Sequence, residues 1–323
     1  MKKIVKSNFF KSSIIKSIIA YTFCISIMGA TVTQSRATQM KSPPTKTLEM
    51  GFGFYVGGLH IIDAKTLFVP NNKNSTYDFT AIASTIGFTD WVTGFFGKST
   101  STGTLNNNGS VKSKYHTNTS YSNFGENYSE LFLGKNVAKL IRYPDRNEQN
   151  LVNLDGNPLA KANDPVATLL NIMVQVGDTD RCAKNLIVIA NHFLYTMKAL
   201  NTNTAVLEET DYNIASGKVI TCELDFVRLD KEDNLSAYNT LNKNGDGKGR
   251  SPIAYFKKFK SIPYALPVLI SAKEQNFGEF RMHLQYVKYG NVVYKANVWD
   301  STEIFTAEKL KALKGIPKKL GVK

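Results

Sequence analysis

Cysteine, tryptophan and histidine are all scarce, at three, two and four residues in a chain of 323. So few sulfur and imidazole groups leave little to build a metal centre from. None of His60, His116, His192 and His283 stands at ligand spacing from a cysteine. No CxxC pair is present, which removes the usual dithiol redox motif. Also missing are a GxSxG elbow, an HExxH helix, a phosphate-binding glycine loop and a dinucleotide fingerprint. The stretch Asn242 to Gly249 looks like a calcium loop, but Ile253 occupies the twelfth position, where a closing carboxylate is required. No catalytic residue, metal ligand or cofactor is therefore assigned from motifs.

Acidic residues are also in short supply, 26 against 40 Lys and Arg, for a net charge of +14. Much of this excess sits at the start of the chain. Lys2, Lys3, Lys6, Lys11 and Lys16 precede the apolar run Ile18 to Ala30, and Ser35-Arg36-Ala37 follows. A basic start, a short apolar core and a small-residue exit make a secretory signal peptide over residues 1–37. The run is shorter than the roughly 20 apolar residues of a membrane span. An uncleaved segment anchored in the inner membrane is the alternative. Cleavage after Ala37 removes five lysines and Arg36 but no acid, and the charge falls to +8. The basicity therefore belongs largely to export and does not point to nucleic acid. The aromatics agree, because they fall within alternating strands and not on a basic stacking surface. The expected compartment is the periplasm.

Residues 38–49 contain Pro43-Pro44 and read as a flexible lead-in. From Gly51 onward, β-branched and aromatic runs alternate with turn signals. Gly57-Gly58 separates two such runs and predicts a tight hairpin. Asn71 to Asn74 and Asn106 to Gly109 mark further turns. In Val111 to Tyr121, the set Lys112, Lys114, His116 and Asn118 is expected on the solvent face, as in a half-solvated antiparallel sheet. Phe88, Trp91, Val92, Phe95 and Phe96 recur at helical spacing, so a short helix is expected to press this stripe against a sheet as a plug, with a lid or a membrane-dipping segment as the alternative. Asp164-Pro165 opens the clearest helix, with an N-cap and a proline at the first helical position. Leu266–Lys273 and Glu279–Tyr289 read as the last strand pair. Beyond Glu303 the lysines of residues 306–323 outnumber the acids, and a short basic helix ending near Gly315 is expected in a C-terminal tail over 294–323.

Once Cys24 is removed with the signal, Cys182 and Cys222 remain. In an exported chain two cysteines point to one disulfide, with two free buried thiols as the alternative.

Several segments resemble the proteobacterial envelope family DUF3108, a domain of unknown function. They are Phe54 to His60, Gly87 to Phe96, the strand after Asn106 to Gly109, and Asp164 to Leu170, with Cys182 and Cys222 matching the family's cysteine pair. The resemblance implies a β-rich exported domain over about residues 50–293 and transfers no catalytic residue. The polar insert 230–252 and the lysine-rich tail depart from the family pattern.

The expected fold class is mainly β: an antiparallel, strongly curved sheet or open β-barrel with one or two short packed helices. The leading functional expectation is an exported protein that binds or carries an apolar or lipid ligand, with Trp91, Phe95 and Phe96 as contacts and peripheral membrane contact open to it. The alternative is a structural or protein-interaction role in the cell envelope. Enzyme activity would gain support if polar residues distant in sequence, such as His60, His116 and Asp180, converged in a cleft.

Overall fold

The structure is a computed structural model that describes residues 45–134, 137–143, 147–152, 158–182, 185–190, 193–228, 251–274, 278–300 and 306–322. The expected signal peptide and the calcium-like stretch lie outside the described residues, as do residues 38–44 of the lead-in, whose last two residues, Leu48 and Glu49, already belong to the first strand.

One antiparallel sheet dominates. Its first half is an unbroken meander: β1 (Leu48–Val56), β2 (Leu59–Asn71), β3 (Thr76–Thr85), β4 (Phe96–Leu105), β5 (Val111–Ser122), β6 (Gly125–Leu133), β7 (Val137–Tyr143) and β8 (Asn147–Val152). The second half comprises β9 (Leu186–Ala190), β10 (Phe193–Leu207), β11 (Gly217–Arg228), β12 (Ile253–Lys258), β13 (Ala265–Glu274) and β14 (Gly278–Tyr289). The halves join where β1 pairs with β14, and β15 (Val292–Lys295) adds to β14. The strands expected as the last pair, β13 and β14, thus lie in the middle of the sheet.

The predicted turns at Gly57-Gly58, after Asn71 and at Asn106 to Gly109 are all present. Gly57 and Gly58 both have positive φ, which a tight hairpin turn requires and glycine adopts without strain. Strand β10 is long because it pairs with β11 from Tyr195 to Leu207 with only a bulge at Asn201/Asn203.

The expectation of a strongly curved sheet or open β-barrel is corrected. The ladder is an open path from β8 to β9, these end strands do not pair, and the sheet is neither closed nor strongly curved. The reason lies at the free edge of β9. A short helix, α2 (Pro158–Lys161), leads into Asn163, whose N–H donates to Ile187 O and whose carbonyl accepts from Ile189 N–H. These are the edge hydrogen bonds that a closing strand would have to take.

Helix α3 (Pro165–Thr179) lies across one face and touches β13, β5 and β9. Its Val166, Leu170, Ile172, Met173 and Val176 are buried in the main core with Phe52, Phe68, Phe256, Leu266 and Leu284. The opposite face of the first half carries α4 (Ala307–Lys319), capped by the Thr306 hydroxyl, which accepts from Lys309 N–H. Leu313 and Ile316 bury against Phe96 and Tyr128. The helix therefore runs past Gly315, where it was expected to end, because this contact holds its last turn in place.

The aromatic stripe is also corrected. Helix α1 spans only Gly87–Thr93. Gly94 ends it in the left-handed region at φ 52°, its N–H bonding Asp90 O at 2.7 Å. Phe95 then leads into β4, which starts at Phe96, so a helical period no longer applies. Phe88 and Trp91 are 75% and 78% exposed and plug nothing.

Candidate functional site

A partly open cavity of about 110 Å3 lies between α3 and the face of β1 to β5. Its origin is visible in the strand register. Thr66, Ala81, Ser99 and Asn118 face one another across β2, β3, β4 and β5, and the next row is Ala64, Ala83, Gly97 and Ser120. Two adjoining rows of small side chains leave space that Val166 and Leu169 of α3 do not fill. One row further along, Phe68 and Phe79 take up the same depth. The lining is mainly apolar, with Phe52, Phe54, Ile270 and Met282 on the β1, β13 and β14 side. Two buried hydroxyl oxygens in it, Thr66 Oγ1 and Ser99 Oγ, have no hydrogen-bond partner among the described residues.

Beside the cavity, a polar network fixes the start of α3. Asp164 is fully buried, and its Oδ1 accepts from Val166 N–H at 2.8 Å and Ala167 N–H at 2.9 Å. Its Oδ2 accepts from the Ser101 hydroxyl at 2.5 Å, and its N–H donates to Ser113 Oγ at 2.9 Å. The Tyr77 hydroxyl lies 2.8 Å from Ser101 Oγ. Burial raises the Tyr77 phenol well above its usual range, helped by the nearby Asp164. Lys112, donating to Ala162 O, is lowered to about 8 by burial, against the pull of Asp164.

His116 belongs to this network, which corrects its expected place on the solvent face. Opposite Thr102 and Gly103, strand β5 presents Tyr115 and Ser113, so Lys114 is an extra residue. Such a bulge exchanges the faces of everything beyond it, and His116, Asn118 and Ser120 turn inward. Burial lowers the His116 imidazole despite Asp164, so its 3.7 Å approach to Asp164 Oδ1 is no ion pair near neutral pH. Ser101, His116 and Asp164 thus gather without forming a nucleophile–base pair. The serine donates to the helix cap, and Asn118 Nδ2 sits 3.0 Å from His116 Nε2.

His60, His116 and Asp180, whose convergence would have supported an enzyme, do not come together. His60 Nε2 pairs with Asp63 Oδ1 at 2.8 Å, and Asp180 pairs with Lys258 at 2.8 Å. Of the three aromatic contacts expected, only Phe95 lines the cavity. Phe96 is buried on the other face beneath α4, and Trp91 is at the surface. The lining residues Ala81, Ala83, Gly97 and Ser99 went unread. Their signal was small side chains at period two in successive strands, which means nothing until the register aligns them.

Cys182 and Cys222 form a disulfide that ties the segment after α3 to β11.

A second cluster sits on β1, β2 and β14. Tyr55 stacks on His60 at 4.5 Å and meets Tyr212 and His283 edge-on at 5.2 and 5.3 Å. Its hydroxyl accepts from Gln285 Nε2, and burial pushes it up to about 12. His283 Nδ1 lies 2.8 Å from Asn213 Oδ1. Its imidazole is held at about 4, first by burial and then by Arg281 and His60, with Glu279 opposing. A value below the ordinary 6.5 means that the folded state resists protonation. The stability linked to His283 is therefore complete above about pH 6.5 and is lost as pH falls towards 4, by an amount on the order of 3 kcal/mol. His283→Asn is expected to flatten the urea midpoint over this window. A slope as steep as in the parent protein would contradict the assignment.

No family model and no curated protein matches the chain. The resemblance to DUF3108 rests on the residues quoted above. Among solved structures, the chain is similar to a beta-barrel-like protein of the domain of unknown function DUF1849 from Brucella abortus, at 8% identity and a TM-score of 0.43, covering 78% of this chain and 100% of that one.

Proposed function

We propose that this is an exported, non-catalytic binding protein of the cell envelope that holds the end of an apolar chain in the cavity beneath α3. The observation that carries the reading is the pair of small-residue rows, which leaves an apolar, partly open space beneath α3. Its volume of about 110 Å3 approaches the ~150 Å3 of an apolar cavity that takes up benzene. It falls below the roughly 300 Å3 at which pockets for drug-sized molecules begin. The occupant is accordingly the tip of an acyl chain, not a whole lipid. Thr66 Oγ1 and Ser99 Oγ offer hydrogen bonds to a polar group carried near that tip. Residues 1–37 support export to the periplasm, and a disulfide suits an oxidising compartment.

Native mass spectrometry of the protein purified with its lipids kept, and after addition of straight-chain fatty acids, tests this reading. Ala81→Leu places three extra carbons in the middle of the first row and is expected to abolish the bound mass, with at least a tenfold loss of added fatty acid. Trp91→Ala is expected to leave binding unchanged, since that side chain lies outside the cavity. A parent protein that stays free of bound mass with every chain length overturns the proposal.

A further inference from the structure

We propose that the end of the sheet carrying α1 docks on a bilayer surface with anionic headgroups. Leu59, Phe88, Trp91 and Phe124 are 72%, 75%, 78% and 61% exposed. Although far apart in sequence, they are carried by neighbouring pieces of chain. Ile86 N–H bonds Ile61 O at 3.1 Å, joining α1 to the start of β2 beside Leu59. Asn123 N–H bonds Thr93 O at 2.8 Å, joining α1 to the turn that bears Phe124. Phe88 and Trp91 lie 5.7 Å apart, ring to ring.

The charge beside this apolar edge is predominantly basic. Helix α4 crosses the same strand ends, from Ser84 of β3, which Lys309 Nζ reaches at 2.9 Å, to Glu126 of β6, which Lys319 Nζ reaches at 2.7 Å. The acids at this end are already engaged: Asp90 lies 3.7 Å from Lys309, and Glu126 pairs with Lys319. Lys311, Lys314 and Lys318 are exposed and form no ion pair among the described residues, while Glu308 is the one acid on the helix. Exposed aromatic and leucine side chains flanked by unpaired lysines match the boundary between acyl chains and phosphates, where rings enter and lysines reach the headgroups. The apolar side chains stand on α1, at the start of β2 and on the turn before β6, and none lines the cavity, which suits insertion among lipids.

Cosedimentation of the protein with vesicles of phosphatidylcholine, and of phosphatidylglycerol and phosphatidylcholine in equal parts, tests the proposal at low and high salt. The parent protein is expected to bind the anionic vesicles and to release them as salt rises. Its Trp91 emission should move to shorter wavelength, while the buried Trp299 contributes a constant background. Phe88→Ala with Trp91→Ala should weaken binding at least about tenfold. Lys311→Gln, Lys314→Gln and Lys318→Gln together should weaken it about 100-fold, on anionic vesicles only. All five side chains are exposed, so unchanged melting of both variants serves as the folding control. A parent protein that ignores anionic vesicles at low salt overturns the proposal. So do variants that bind as the parent does, which would assign binding to another segment. The result is independent of the cavity, whose occupancy is read with soluble fatty acids.

Discussion

Asp164→Ala is expected to cost about 4 kcal/mol of folding stability, the largest loss from any single side chain in the network at the start of α3. Three donors depend on this carboxyl group: the N–H groups of Val166 and Ala167 and the hydroxyl of Ser101. Losing a cap of this kind removes about 1–2 kcal/mol. Each donor left buried without a partner adds about 1–3 kcal/mol, so the total reaches the range reserved for broken buried networks. Water cannot readily replace the acceptor, because Asp164, Ser101 and Ser113 are all fully buried. Asp164→Asn keeps an oxygen facing the two N–H groups and should cost only about 1 kcal/mol. The measurement is the urea midpoint at constant slope. An alanine variant within 1 kcal/mol of the parent would show that the network orients α3 without holding it.

Replacing Cys182 and Cys222 together with serine is expected to cost a similar amount by a different route. The bridge joins residues 40 apart in sequence. On the chain-entropy model, closing a loop of that length stabilises by about 4 kcal/mol through the unfolded state. It also fixes the exit of α3 to β11, while Asp164 fixes its entry near β4 and β5. The helix is thereby pinned at both ends over the cavity. Reduction of the parent protein should lower the urea midpoint as far as the double serine variant does. If reduction leaves the midpoint unmoved, the bridge contributes nothing to the stability of the fold.

Most of the local structure was legible because it depends on nearest neighbours. Gly57-Gly58 and Asn106 to Gly109 specify turns through backbone conformations that few other residues adopt. Asp164-Pro165 specifies a helix start through one acceptor and one missing N–H, and the alternating runs specify antiparallel strands. The misreadings share a cause, which is that a contact distant in sequence outweighed a local pattern. The stripe from Phe88 to Phe96 has helical spacing, yet pairing of β4 with β3 and β5 takes over at Phe96 and breaks the period. Lys114 is an ordinary strand residue in sequence, but its place opposite Thr102 and Gly103 makes it a bulge and turns His116 inward. The lysine-rich end was read as a short helix in a tail, and the burial of Leu313 and Ile316 on Phe96 extends it.

By itself, then, the sequence determined a β-rich antiparallel chain, one capped helix, a cysteine pair suited to a single bridge, and a basic stretch followed by an apolar run within residues 1–30. These follow from the period, composition and turn chemistry of short stretches. Only the tertiary structure decided that β1 joins β14, that Asn163 takes the edge of β9 and leaves the sheet open, and that Ala64, Ala81, Ala83, Gly97 and Ser99 line up beneath α3. Each depends on strand register between segments distant in sequence, where a shift of one residue moves every side chain to the opposite face. The cavity is a product of that register, and so no short stretch of the chain announces it.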